Sequence, residues 1–97
     1  MQIVENWSDV DGVIKELSAS PSDPLHRLAT IVIQSVQPVA SFPNLMATHT
    51  GKEVTIRIPE EAVRRSGVAQ GKRVRLRVRQ AGPDKYFSHP DHVEQLA

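Results

Sequence analysis

Arg73, Arg75, Arg77 and Arg79 alternate with Val74, Leu76 and Val78 in the stretch KRVRLRVRQ, residues 72–80. In a strand, successive side chains point to opposite faces. The three aliphatic residues then enter a core, and four guanidinium groups share the other face at spacings of about 7 Å. The planar fork of arginine donates two parallel hydrogen bonds to a phosphate or a carboxylate. No acidic residue occurs between 72 and 83, so the row reads as an anion-binding ridge. Lys72 at its start, Arg57 on a neighbouring strand, and Arg64 and Arg65 between them would widen the patch. A plainer account is also consistent with the pattern. A half-buried antiparallel strand needs polar side chains on its wet face, and charge on a strand resists edge-to-edge association.

Single-strand binding by a small β-barrel usually adds aromatic platforms, on which bases stack for about 1–3 kcal/mol each. The chain has one Trp, one Tyr and two Phe. Tyr86 and Phe87 are consecutive and must face opposite ways on a strand. Tyr86 is the candidate platform, with Trp7 as a further one, and Phe87 and Phe42 are assigned to the core.

Other chemistries find little support. His89-Pro90-Asp91-His92 carries two imidazoles at an i, i+3 spacing, but a zinc site needs three or four ligands. With no cysteine, and only His26 and His49 elsewhere, neither a metal nor a cofactor is expected. Ser35, Ser41, Ser66 and Ser88 lack any nucleophile-elbow sequence. Glu60 and Glu61 are adjacent and diverge on a helix, so they cannot act as a paired acid and base. Gly67 to Lys72 lacks the spacing of a phosphate loop. A non-enzymatic protein is expected.

The elements that must position these residues follow from pattern and punctuation. Ninety-seven residues suit one domain with a modest core, here with a polar C-terminal tail over about 89–97. Formal charge is −3 over residues 1–50 and +4 over 51–97, for a net +1. Such a split is the footprint of a partner-facing surface on the C-terminal half. The absence of cysteine excludes disulfides and thiolate sites. The N-terminal MQIVENWSD lacks the basic and apolar regions of a signal peptide, and no apolar run approaches the roughly 20 residues that span a bilayer. A soluble, cytoplasmic protein without membrane partners is expected.

The segment NWSDVDGVIKELSAS supports two readings. Ser8 and Asp11 could form a capping box for a helix presenting Val10, Val13, Ile14 and Leu17 on one face. Gly12 inside that helix would cost about 1 kcal/mol, and GVIKEL also reads as a strand. SASPSDP is a turn. LATIVIQSVQPV, residues 28–39, is rich in β-branched residues and reads as a strand, and KEVTIRIP, residues 52–59, alternates. PEEAVRRSG is a short helix: Pro59 suits its first turn, Glu60 and Glu61 its positive end, Arg64 and Arg65 its negative end, and Gly67 its stop. Strands over 72–80 and 85–88 follow, separated by the turn AGPD. Ile31, Ile33, Val54, Ile56, Ile58, Val74, Leu76 and Val78 are the expected core.

Taking GVIKEL as a strand, GVIKEL, LATIVIQSVQPV, GKEVTIRIPEE and GKRVRLRVRQAGPDKYF give the order strand, strand, strand, short helix, strand, strand. That order resembles an OB-fold over residues 12–88, which implies a mainly β, five-stranded barrel with one short helix between strands 3 and 4. VTIRIPEEAVRRSGVAQGKRVRLRV, residues 54–78, also resembles the swapped-hairpin proteins related to AbrB and MazE, through Ile58-Pro59, Gly67 and Gly71, with Lys72 where an acidic residue usually stands. Three functions follow as expectations. The first is nucleic-acid binding through the arginine-rich face, as monomer or dimer. The second is a protein-interaction module meeting an acidic protein partner with the same face. The third is a swapped-hairpin dimer on duplex DNA.

Overall fold

A computed structural model describes residues 4–96. Five strands and one helix follow one another as β1 (Ser8–Ala19), β2 (His26–Pro38), β3 (Glu53–Pro59), α1 (Glu60–Ser66), β4 (Arg73–Gly82) and β5 (Lys85–Gln95). The strands form a closed barrel in the order β1-β2-β3-β5-β4. The segment with two readings is therefore a strand. β1 pairs along one edge with β2 and along the other, from Ser8 to Val13, with β4. All neighbouring pairs are antiparallel except β3 and β5, whose parallel seam consists of Ile56 opposite Tyr86 and Arg57 opposite Phe87.

The alternating residues do what their period requires. Val10 and Ile14 of β1, Ala29, Ile31 and Ile33 of β2, Ile56 and Ile58 of β3, and Val74, Leu76 and Val78 of β4 fill the interior. Val54, expected in the core, is partly buried against it. The helix closes one end of the barrel with Ala62 and Val63. Its acidic first turn and basic last turn suit the helix dipole. It stops at Gly67, whose φ of 74° lets its N–H reach the Val63 carbonyl at 3.1 Å. At the other end, the connection over 39–52 drops Met46 fully into the core. The Gly51 N–H and the Lys52 carbonyl bond to Ile33 at 2.7 and 2.9 Å, which ties this connection to β2.

β5 is longer than the expected 85–88. Residues 89–95 are not a free tail, because Val93, Glu94 and Gln95 pair with Leu76, Arg75 and Val74. Between Ser88 opposite Val78 and Val93 opposite Leu76, β5 has four residues where β4 has one. His89 to His92 are thus extruded from the ladder. Pro90 lies in that bulge, where no ladder donor is required, so a proline inside the strand span does no harm. No helix among the described residues is long and apolar enough to cross a membrane.

Gly12 sits at a break in the β1–β2 register, pressed between two strands. A Cβ there would lie 2.5 Å from the Val32 carbonyl oxygen and 2.6 Å from Ile31 Cγ2. Gly12→Ala is expected to destabilise the fold by about 1–3 kcal/mol, as overpacking of a tight core does. The matched control Gly82→Ala meets nothing nearer than 3.8 Å and is expected to be near neutral. Denaturant unfolding of the two variants makes the comparison.

Candidate nucleic-acid interface

β4 carries its four arginines outward, but they are not equivalent. β1 and β4 pair so that Asp9 stands opposite Arg77 and Asp11 opposite Arg75. Arg75 donates through Nε and one Nη to the two Asp11 oxygens at 2.8 and 3.0 Å. Arg77 does the same to Asp9 at 3.0 and 3.3 Å. Hydrogen bonding to Asp11, then the charge of Asp11, and more weakly the charges of Glu94 and Asp9, raise the Arg75 pKa above its ordinary value. The Arg77 pKa is raised chiefly by its hydrogen bond to Asp9. The expected ridge of four mutually repelling cations is therefore corrected. Its two inner members are matched to carboxylates more than 60 residues away in sequence, while Arg73 and Arg79 make no ion pair among the described residues.

A second correction concerns the aromatics. Tyr86 is buried and its hydroxyl lies 3.2 Å from His49 Nε2, so it is no platform. Phe87 faces outward and is half-buried, and Phe42 is exposed. The cause is a one-residue bulge. Gly82 pairs with Lys85, but Gln80 pairs with Tyr86, which leaves Ala81 unmatched. Without that extra residue Tyr86 would face outward; with it Phe87 lies opposite Arg79 and shares its face.

Phe87 is the centre of a small constellation. The guanidinium carbons of Arg57 and Arg79 each lie 5.6 Å from its ring centroid, within the range of cation–π attraction. Arg57 is its neighbour across the parallel seam. The His26 ring meets Phe87 edge-on at 5.9 Å. Arg57 makes no ion pair among the described residues, so both forks beside the ring keep their donors for a ligand. Lys72 is exposed at the start of β4. Arg64 and Arg65 are exposed on the helix. Arg65 donates to the Pro90 carbonyl, and Arg64 borders an open cleft with Pro24, Leu25 and Pro90. His26 lines the same cleft as Arg64 and packs on Phe87, which brings Arg64 to the margin of this constellation.

The rest of the outer face adds aromatic surface. Trp7 lies 5.2 Å from the His89 ring, and His89 lies 4.7 Å from His92. Among the described residues, no three His, Cys, Asp or Glu side chains group as a metal site would require. No protein-family model matches the chain, and no curated protein matches its sequence.

Two expectations follow. Replacing both Asp9 and Asp11 by Asn strips Arg77 and Arg75 of their partners. The double variant should elute later from a cation exchanger and unfold at lower denaturant concentration. A higher unfolding midpoint would mean that repulsion along the row outweighs the cross-strand pairs. The second concerns alkaline pH. Burial, reinforced by the charge of Asp84, raises the Tyr86 pKa above its ordinary 10.0. The folded state therefore favours the neutral phenol. That stabilisation is full below the ordinary value and is lost as pH rises through the raised one. Wild type should lose stability above pH 10.0 more steeply than Tyr86→Phe, measured by unfolding midpoints across that range.

Proposed function

We propose that the protein is an OB-type barrel that binds single-stranded nucleic acid on the β3–β5–β4 face. Phe87 stacks a base, and Arg57 and Arg79 hold the flanking phosphates. The observation that carries this reading is the Phe87 ring with a guanidinium group at 5.6 Å on each of two neighbouring strands, neither group paired with a carboxylate among the described residues. Stacking surface beside backbone-binding cations is what sequence-tolerant single-strand recognition needs. A duplex keeps its base faces covered, so Phe87 favours a single strand. The strand order and the helix between β3 and β4 support the OB assignment. They favour it over a swapped hairpin, because β5 separates the two strands that flank the helix. The reading is of a non-enzymatic, cytoplasmic protein.

The test is titration of labelled single-stranded and duplex oligonucleotides at two salt concentrations. Wild type should prefer the single strand and weaken as salt rises. Phe87→Ala should cost about 1–3 kcal/mol of binding. Arg57→Ala and Arg79→Ala should each lower the salt slope by about 0.7, the share of one phosphate on a single strand. Arg75→Ala and Arg77→Ala should change it little, since their forks are already filled. Absence of oligonucleotide binding at low salt would refute the proposal and leave an acidic protein partner as the reading of the basic face.

A further inference from the structure

Glu5, Trp7, Val39, Phe42, Arg77 and His89 line an open cleft of about 320 Å³ beside the β4–β5 ladder. The indole of Trp7 is half-exposed, Phe42 is 37% exposed, and both rings border the cleft. Three features hold these walls in place. Asn6, fully buried, pairs with Gln80 in both directions at 2.9 Å, its amide donating to the carbonyl and its oxygen accepting from the N–H. Ser8, also buried, donates to Asn44. Trp7 is thus turned outward between two anchored neighbours, and the second anchor ties its strand to the connection that carries Phe42. His89 packs against the indole, and its Nδ1 accepts from the Asp91 N–H at 3.1 Å, which leaves its other ring nitrogen as the donor.

The charges select the kind of ligand. Arg77 is already matched to Asp9, and among the described residues the one remaining charge in the lining is the Glu5 carboxylate. A phosphate has no unspent cation here. A neutral planar heterocycle finds ring faces in Trp7 and Phe42, an acceptor in Glu5 and donors in the spare Arg77 nitrogen and His89. Along β5, His89 follows Phe87 by two residues, at the start of the bulge.

We infer that this cleft is a second base-stacking position for the same nucleic-acid strand, taking one base against Trp7 and Phe42 while its neighbour lies on Phe87. The inference rests on the single-strand reading and gives that site a length: at least two stacked bases, with phosphates on the Arg57 and Arg79 side only.

Trp7 is the single tryptophan, so its fluorescence reports this position alone. The full chain is titrated with a labelled thymidine homopolymer of about 10 nucleotides, within the span one such barrel covers, and with its abasic counterpart. Label anisotropy reports binding at any position. The inference predicts that Trp7 emission is quenched with the same midpoint as the anisotropy change, and that the abasic strand does not quench it. Phe42→Ala, a change on an exposed turn, should weaken binding roughly 5- to 150-fold. If the homopolymer binds and Phe87→Ala weakens it, yet Trp7 emission is unmoved and Phe42→Ala binds like wild type, this inference falls and the single-strand reading stands. If anisotropy does not change at low salt, both fall.

Discussion

β1 gives away both of its edges over the same six residues, Ser8 to Val13, and the rest of the molecule depends on that double commitment. That pairing sets β2 and β4 on either side of β1, and the seam between β3 and β5 then closes the sheet into a barrel. Closure brings two strands unusually near at Gly12, where the backbone of β1 leaves no room for even a methyl group beside Val32. The same pairing fixes which acids face which arginines. Asp9 and Asp11 alternate with Ser8, Val10 and Gly12 along β1, so once its apolar side enters the barrel they must lie outside, against Arg77 and Arg75.

The electrostatics of the outer face follow from this register. Charge on the middle of β4 is cancelled locally by bidentate pairs, and free positive charge is displaced to the ends of the row. One end, Arg79, meets the Phe87 ring, which Arg57 also meets from β3. Attraction to the ring offsets part of the conformational entropy lost in holding two long side chains in place. The basic half of the sequence is thus resolved into a neutralised stretch and a compact cluster around Phe87.

Much of this architecture was legible in the residues. β-branched residues marked β2 and alternation marked β3 and β4, while Pro59, the two glutamates, the two arginines and Gly67 marked the helix, because these patterns are local consequences of backbone geometry. What could not be read locally was which distant side chain would lie opposite which. The run of residues 72–83 contains no acid, yet two acids reach it from β1 across more than 60 residues. The identity of the outward aromatic on β5 turned on one unmatched alanine. Alternation guarantees that Tyr86 and Phe87 part company, but a bulge decides which goes where. Residues 89–95 look like a solvated end because of Pro90 and their polarity. Their pairing with Val74, Arg75 and Leu76 is set by closure of the barrel rather than by their own composition.

The extruded stretch from His89 to His92 is bounded on one side by Ser88 opposite Val78 and on the other by Val93 opposite Leu76. Each bounding pair belongs to a ladder segment complete in itself. Residues can therefore be added to or taken from the bulge without shifting either register or disturbing the packing of Leu76 and Val78 beneath it. The protein thus keeps, immediately beside Trp7, a stretch of chain whose length the ladder does not fix, held instead by His89 on the indole and by the Arg65 bond to the Pro90 carbonyl. In such a scaffold the surface beside Trp7 can be reshaped without redrawing the ladder beneath it.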